Sequence, residues 1–256
     1  MHSAPAGGDG VFRRPDEIRD AYRDDSVARD YVAGRFREPL GALLHDRQVT
    51  AVRRLLAELA PRRVLELAPG PARLTTDLAP DFTGRVVAVD ASFQMLSEAR
   101  RRLAAGGGAV QFMQGDAFQL PLRGPFDLVY TFRLIRHFAD ADRARLYREL
   151  HRVLRPGGVL VFDAVNEVVS APLRAASPDA YKHYDALLRP SQIEAELSEA
   201  GFEVTALDGV QHRFGLQSAM QVYVAPRSRP LARVLMEVAE NTGGEPLEWI
   251  VTCRRR

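Results

Sequence analysis

Three carboxylates sit on or just after short apolar runs. Glu66 lies within Val64-Leu65-Glu66-Leu67, Asp90 ends Arg-Val-Val-Ala-Val-Asp, and Asp116 follows the run at 110–113. Each offers two acceptor oxygens and so can hold a pair of donors. Between the first two lies Ala68-Pro69-Gly70-Pro71-Ala72. Proline presets φ and glycine accepts positive φ, so Pro69 and Gly70 are expected at the second and third positions of a type II turn. Pro71 then opens a helix, where its missing N–H matters little. Such a turn brings bare backbone and a helix N-terminus to the sheet edge where open α/β folds bind ligands. The loop argues against two ligand classes. It has one glycine where a G-x-G-x-x-G dinucleotide loop needs three, and no Gly-Lys-Ser/Thr follows to cradle a triphosphate.

A candidate base stands downstream. His137 lies in Thr131-Phe132-Arg133-Leu134-Ile135-Arg136-His137-Phe138, after the fourth apolar run. It can serve a hydroxyl acceptor by taking its proton, or it packs at the start of the next helix. His183 and His212 fall in irregular stretches, while His45 and His151 sit in expected helices and read as structural. No His/Cys/Asp cluster has metal-ligand spacing, so no metal is expected. Cys253 is the single cysteine and cannot form an internal disulfide, which fits a reducing cytoplasm.

The elements that must position these groups follow from pattern. The 256 residues carry a formal net charge of +2, with 46% hydrophobic and 27% charged residues. That is globular composition and excludes collagen-like, wholly disordered and disulfide-scaffold classes. No apolar run approaches the roughly 18 residues of a membrane helix, so no span is expected. Lys182 is the only lysine, a skew that looks like GC-rich bacterial coding. The arginines are scattered beside acids and form no stripe for nucleic acid. Residues 1–14 read as a mobile arm and 15–60 as helical, with an amphipathic run at 40–59. Strand-like runs at 63–68, 85–90, 110–113, 126–132 and 159–164 then alternate with helical stretches at 71–78, 92–104 and 141–154. Such a rhythm predicts a parallel sheet covered by helices on both faces. Residues 166–189 show no repeat and are expected to form a lid. Helices at 191–200 and about 230–240 and strands at 203–207 and 248–253 complete the chain, with an uneven stretch at 209–226.

In this order the motifs resemble those of the class I S-adenosylmethionine-dependent methyltransferases. Glu66 and Gly70 match the family's E/D-x-G-x-G-x-G, with Ala68 and Ala72 replacing the flanking glycines. Asp90 follows Glu66 by 24 residues, where the family places an acid that accepts both ribose hydroxyls. Ala91 to Leu96 matches D-x-S-x-x-M-L, which implies that Met95 packs near the adenine. Gln114-Gly115-Asp116-Ala117 resembles the G-D-A element. By that likeness Asp116 accepts from the adenine amino group, the Ala117 backbone donates to the ring, and Phe118 lies beside them. Pro69, Ala91, Thr131 and Phe132 join the implied cofactor set. Tyr22, Tyr31 and Arg35 resemble a helical lid over the methionine end, where Arg35 pairs with the carboxylate. The implied substrate side comprises Arg133, His137, Asp163, Asn166, Tyr181 and Tyr184. The likeness covers 64–164 well, and 126–130 and 146–158 are also similar.

The resemblance implies an α/β, Rossmann-like fold with a seven-stranded, mostly parallel sheet and an N-terminal helical lid at 15–60. The core then spans 61–256, with insertions at about 166–189 and 209–245. The implied cofactor is S-adenosylmethionine and the reaction is in-line methyl transfer, driven mostly by positioning. The exit of the fourth strand lacks the N/D-P-P-Y of base-methylating enzymes, and no Pro-Cys pair offers a cytosine-attacking thiol. The expected acceptor is therefore a small organic molecule, as in bacterial secondary metabolism, with no nucleic acid or membrane partner and a monomer or homodimer in the cytoplasm. Two other readings stay open. One is a cofactor-binding cyclase or regulator of the same fold; the other is an RNA or protein methyltransferase.

Overall fold

The computed structural model describes residues 38–103, 110–178 and 184–256. It opens on helix α1 (Pro39–Leu59), then alternates: β1 (Arg63–Leu67), α2 (Arg73–Leu78), β2 (Arg85–Asp90), α3 (Phe93–Leu103), β3 (Val110–Gln114), β4 (Phe126–Thr131), α4 (Asp140–Val153) and β5 (Leu154–Asn166). The second half carries α5 (Glu167–Ala176), β6 (Leu187–Leu188), α6 (Pro190–Glu199), β7 (Phe202–His212), α7 (Phe214–Tyr223), α8 (Arg229–Glu240) and β8 (Pro246–Arg255). Strand order is β3-β2-β1-β4-β5-β8-β7, and the two-residue β6 joins β5 as an eighth strand beyond the expected seven. All pairings are parallel except those of β8 with β5 and β7. The order reverses between β1 and β4, so the crevice for a ligand lies beyond the carboxyl ends of those two strands.

The strands form where the sequence is almost continuously apolar, because both sheet faces are covered. On one face Leu65, Val129, Leu160 and Phe162 pack with Leu146, Leu150 and Val153 of α4 and Ile193 and Leu197 of α6. On the other, Val64, Leu128, Tyr130, Val161 and Ile250 meet Leu44, Val52, Leu55 and Leu56 of α1. Residues 39–59 are thus a core helix, although the segment 15–60 was expected to be a lid. Their apolar positions recur at helical spacing and face the sheet. The arm 1–14 and the remainder of that segment lie outside the described residues.

Two stretches expected to be irregular are helical. The 166–189 segment contains α5, capped by the Asn166 side chain accepting from the Val168 N–H at 3.1 Å. The 209–226 stretch contains the end of β7 and all of α7. Ser170 is the only buried residue of α5 and Gln217 the only one of α7. Neither helix fully buries an apolar residue, and Pro172 inside α5 reads as a helix breaker. No described helix is long and apolar enough to cross a membrane.

The placement of α1 yields a stability test. Leu44→Ala should lower unfolding free energy by about 2–4 kcal/mol in urea titrations; an unchanged midpoint would mean that α1 rests loosely on the sheet.

Candidate active site

The loop after β1 is built from backbone in an uncommon region. Ala68, Gly70 and Ala72 have φ of 55°, 56° and 58°, so all three motif positions adopt the left-handed conformation. Glycine takes it freely, whereas each alanine stores about 1 kcal/mol of strain. Ala72 is held there by burial against Ala99 and Leu103 of α3. The hydrogen-bonded turn runs one residue later than its Pro-Gly pair suggests, with the Ala72 N–H donating to the Pro69 carbonyl at 3.1 Å. Pro71 therefore precedes α2, and Ala72 is its N-cap. A Cβ built on Gly70 meets nothing within 4 Å, so open space lies over the bare backbone.

Asp90 ties this loop to the next strand. Its Oδ2 accepts from the Gly70 N–H at 2.9 Å and its Oδ1 from the Ser92 N–H at 2.8 Å. Burial raises its pKa, and these N–H groups oppose the rise. The Ser92 hydroxyl in turn accepts from the Met95 N–H at 3.2 Å, which starts α3 with the Met95 side chain buried. Gln114 donates to the Ala91 carbonyl at 3.0 Å, and the Gly115 N–H to the Asp90 carbonyl at 3.0 Å. Asp116 stays exposed, its Oδ1 accepting from the Phe118 N–H at 2.8 Å. Ala117 and Phe118 are half-buried, and Phe118 meets Phe138 edge-on at 5.0 Å. The structure therefore gathers Pro69, Gly70, Asp90, Ala91, Met95 and the 116–118 turn along one sheet edge.

Other expected site residues are placed differently. Glu66, expected at the cofactor, is 3% exposed and turned inward. Its Oε2 accepts from Thr75 Oγ1 at 2.5 Å and the Tyr130 hydroxyl at 2.9 Å, so it props the loop from below. Burial pushes its pKa up to about 7, against the opposing pull of those two donors. Phe132 packs in the α1 face of the core, and Thr131 is buried with no partner for its Oγ1 among the described residues. Asp163, expected at the rim, is 1% exposed, because it binds Arg136 Nη1 at 2.9 Å and the Arg133 N–H at 2.6 Å. Asn166 is also buried, committed to the Pro246 carbonyl at 2.8 Å and to capping α5. Tyr22, Tyr31, Arg35, Tyr181 and His183 lie outside the described residues.

Beyond β4 the chain builds a charged cluster that motif reading missed. The turn Ile135–His137 carries Arg136, whose guanidinium reaches Asp163 at 2.9 Å, Asp185 at 3.0 Å and Glu248 of β8 at 2.7 Å. Arg174 of α5 binds Asp185 at 2.6 Å. His137 Nδ1 lies 3.0 Å from the Tyr184 carbonyl and 3.1 Å from Asp185 Oδ1. Burial raises the Asp185 pKa, but Arg136, His137 and Arg174 overcome it and hold the carboxyl well below the usual range. A lone glutamate in the strand-like run at 248–253 was the available clue to Glu248.

The profile of the methyltransferase-domain family matches residues 64–158. A demethylmenaquinone methyltransferase from Parafrankia is 32% identical over 225 residues, covering 74% of this chain and 86% of that protein. The chain belongs to the S-adenosylmethionine-dependent methyltransferases. A demethylmenaquinone methyltransferase from Thermus thermophilus is 43% identical over 109 residues, 42% of this chain and about half (49%) of that relative. In fold, this methyltransferase superposes on the magnesium protoporphyrin IX methyltransferase of Synechocystis with bound SAH, with a TM-score of 0.67 at 15% identity. That match covers 94% of this chain and 99% of the other. The cofactor of this methyltransferase is S-adenosylmethionine, and the open backbone at Gly70 beside the Asp90 carboxylate suits a ligand rich in hydroxyl and amino donors.

Glu66 gives the methyltransferase a pH signature. The folded carboxyl titrates near 7 against 4.5 for the free group, so the unfolded chain loses this proton first as pH rises. The stability it contributes is full below 4.5 and falls away up to about 7, a loss of about 3 kcal/mol. Glu66→Gln should abolish that loss, so urea titrations between about pH 4.5 and 8 should show the variant gaining on the wild type. Parallel pH profiles would assign the titration to another group.

Proposed function

We propose that this methyltransferase moves a methyl group to a small organic acceptor, a natural-product intermediate, by in-line displacement. The observation that carries this reading is the Asp90 carboxylate fastened to the open Gly70 backbone at the strand switch point. A carboxylate has about four lone-pair positions; the Gly70, Ser92 and Ala91 N–H groups take part of that capacity, and the remainder is left for ribose hydroxyl contact. In this assignment Asp90 takes the sugar, the Ala68–Ala72 backbone lies under the amino-acid end, and Asp116, Ala117 and Met95 surround the adenine. When bound, S-adenosylmethionine supplies an electrophilic methyl carbon. The protein supplies alignment and a dry surround.

The acceptor class draws support from the surface near His137. Leu134, Phe118 and Tyr184 are partly buried there and pack on the core cluster that contains Phe138, apolar and aromatic side chains suited to an organic ring. Both demethylmenaquinone methyltransferases are named for an organic acceptor.

Calorimetry with S-adenosylhomocysteine tests the cofactor site. Asp90→Ala should weaken binding about 100-fold, the loss expected for two hydrogen bonds to a charged group. Asp127→Ala should leave affinity unchanged, because Asp127 holds the Arg62 and Arg63 N–H groups at the opposite end of the sheet. Equal effects of the two substitutions would remove Asp90 from the site.

A further inference from the structure

We propose that the outward faces of α7 and α8 bind a second copy of this chain, with the two α8 helices crossing antiparallel about a twofold axis. Among the described residues, eight large hydrophobic side chains are more than half exposed, and six of them lie on these two helices. They are Leu216, Val222 and Tyr223 on α7 and Leu231, Val234 and Val238 on α8. A surface helix ordinarily turns its apolar stripe to the core and its polar residues to water. Helix α8 is apolar on both sides. Ala232, Met236 and Ala239 are buried, while Leu231, Val234 and Val238 recur at i, i+3 and i+7 on the opposite face. That is the spacing of a seam between helices.

The patch is firmly mounted. Helices α7 and α8 pack on each other and on α1. Buried Glu240 of α8 accepts from the Gln211 and His212 N–H groups, each at 2.9 Å, and from Gln217 Nε2 of α7 at 2.7 Å. A partner therefore meets a surface that is already ordered. At roughly 100 Å² for each side chain the six offer about 600 Å², as large as the biggest patch on an ordinary monomer. Two such faces together bury about 1,200 Å², which is enough for a stable pair.

Charge selects the occupant. Beside the seam, Arg229 and Arg233 stand in the first half of α8 and Glu237 in the second. They pair within the chain with Glu38, Asp46 and Arg47, yet all three side chains stay partly exposed. Three arginines against three acids leave this flank neutral, whereas a helix that lies on an anionic membrane carries a basic one. A second copy fits better, because a twofold contact sets each half of α8 against the other half of its partner. With the axis near Val234, Leu231 faces Val238 of the second copy, and Arg229 and Arg233 approach its Glu237. A parallel crossing would set like charges together.

Sedimentation equilibrium of the full chain should show a dimer. Val234→Glu changes an exposed side chain and sets two carboxylates face to face at the axis. It should weaken the dimer at least about 100-fold, with the urea midpoint and S-adenosylhomocysteine affinity unchanged. Disulfide formation reads the direction of crossing, since the native Cys253 is buried. Chains carrying Leu231→Cys and chains carrying Val238→Cys, mixed and mildly oxidised, should link to each other more than to themselves. A full chain that stays monomeric at its highest soluble concentration overturns the proposal, as does a dimer that Val234→Glu leaves intact. Preferential self-linking overturns the antiparallel crossing. A monomer that floats with phosphatidylcholine–phosphatidylglycerol vesicles, and loses that with Val234→Glu, would assign the face to lipid instead.

Discussion

The hydrogen bond from the Gly70 N–H to the Asp90 carboxylate joins the ends of two parallel strands, and most of the site's geometry follows from it. One oxygen fixes the loop after β1 while the other fixes the first turn of α3 through Ser92. The Asp90 carbonyl holds the next strand's exit through the Gly115 N–H. Three strand ends are thus registered by one residue. The carboxylate is also half-withdrawn from water, so its remaining acceptor capacity counts for more than it would on an open surface.

That arrangement rests on strained backbone. Two alanines hold left-handed φ values that glycine adopts without cost. The deviation persists because Ala72 is wedged against α3 and because Glu66 braces Thr75 and Tyr130 beneath the loop. At the two positions where alanine replaces the family's glycine, the backbone still holds a positive φ. A buried carboxyl that titrates near neutrality under such a loop couples the loop's support to proton concentration.

Much of this was legible from residue types alone. Parallel strands buried on both faces leave unbroken apolar runs, and β2 was read to the residue at 85–90. Gly70, Asp90 and Asp116 were legible because positive φ and paired acceptors belong to few residue types. The turn register was misread: Pro71, the fourth residue of the expected turn, has no N–H to close it, so the closing donor is Ala72. Helices α5 and α7 were missed because neither fully buries an apolar residue and because Pro172 reads as a helix breaker. Asp163 and Asn166 were placed at the rim because they end an apolar strand. Their true roles depend on Arg136 and Pro246, which local sequence does not reveal. The Arg136–Glu248 bond spans 112 residues, and no local pattern encodes a contact of that range.

The antiparallel strand β8 lies between β5 and β7, although both precede it in the chain. During synthesis β5 must wait with one edge open while four helices, β6 and β7 are made. Until β8 slides in, Arg136 lacks Glu248 and β7 has no partner strand. Assembly of the sheet and completion of the Arg136 cluster are therefore a single event, and a nascent chain stalled before that insertion carries both an open edge and an arginine short of one of its three carboxylate partners.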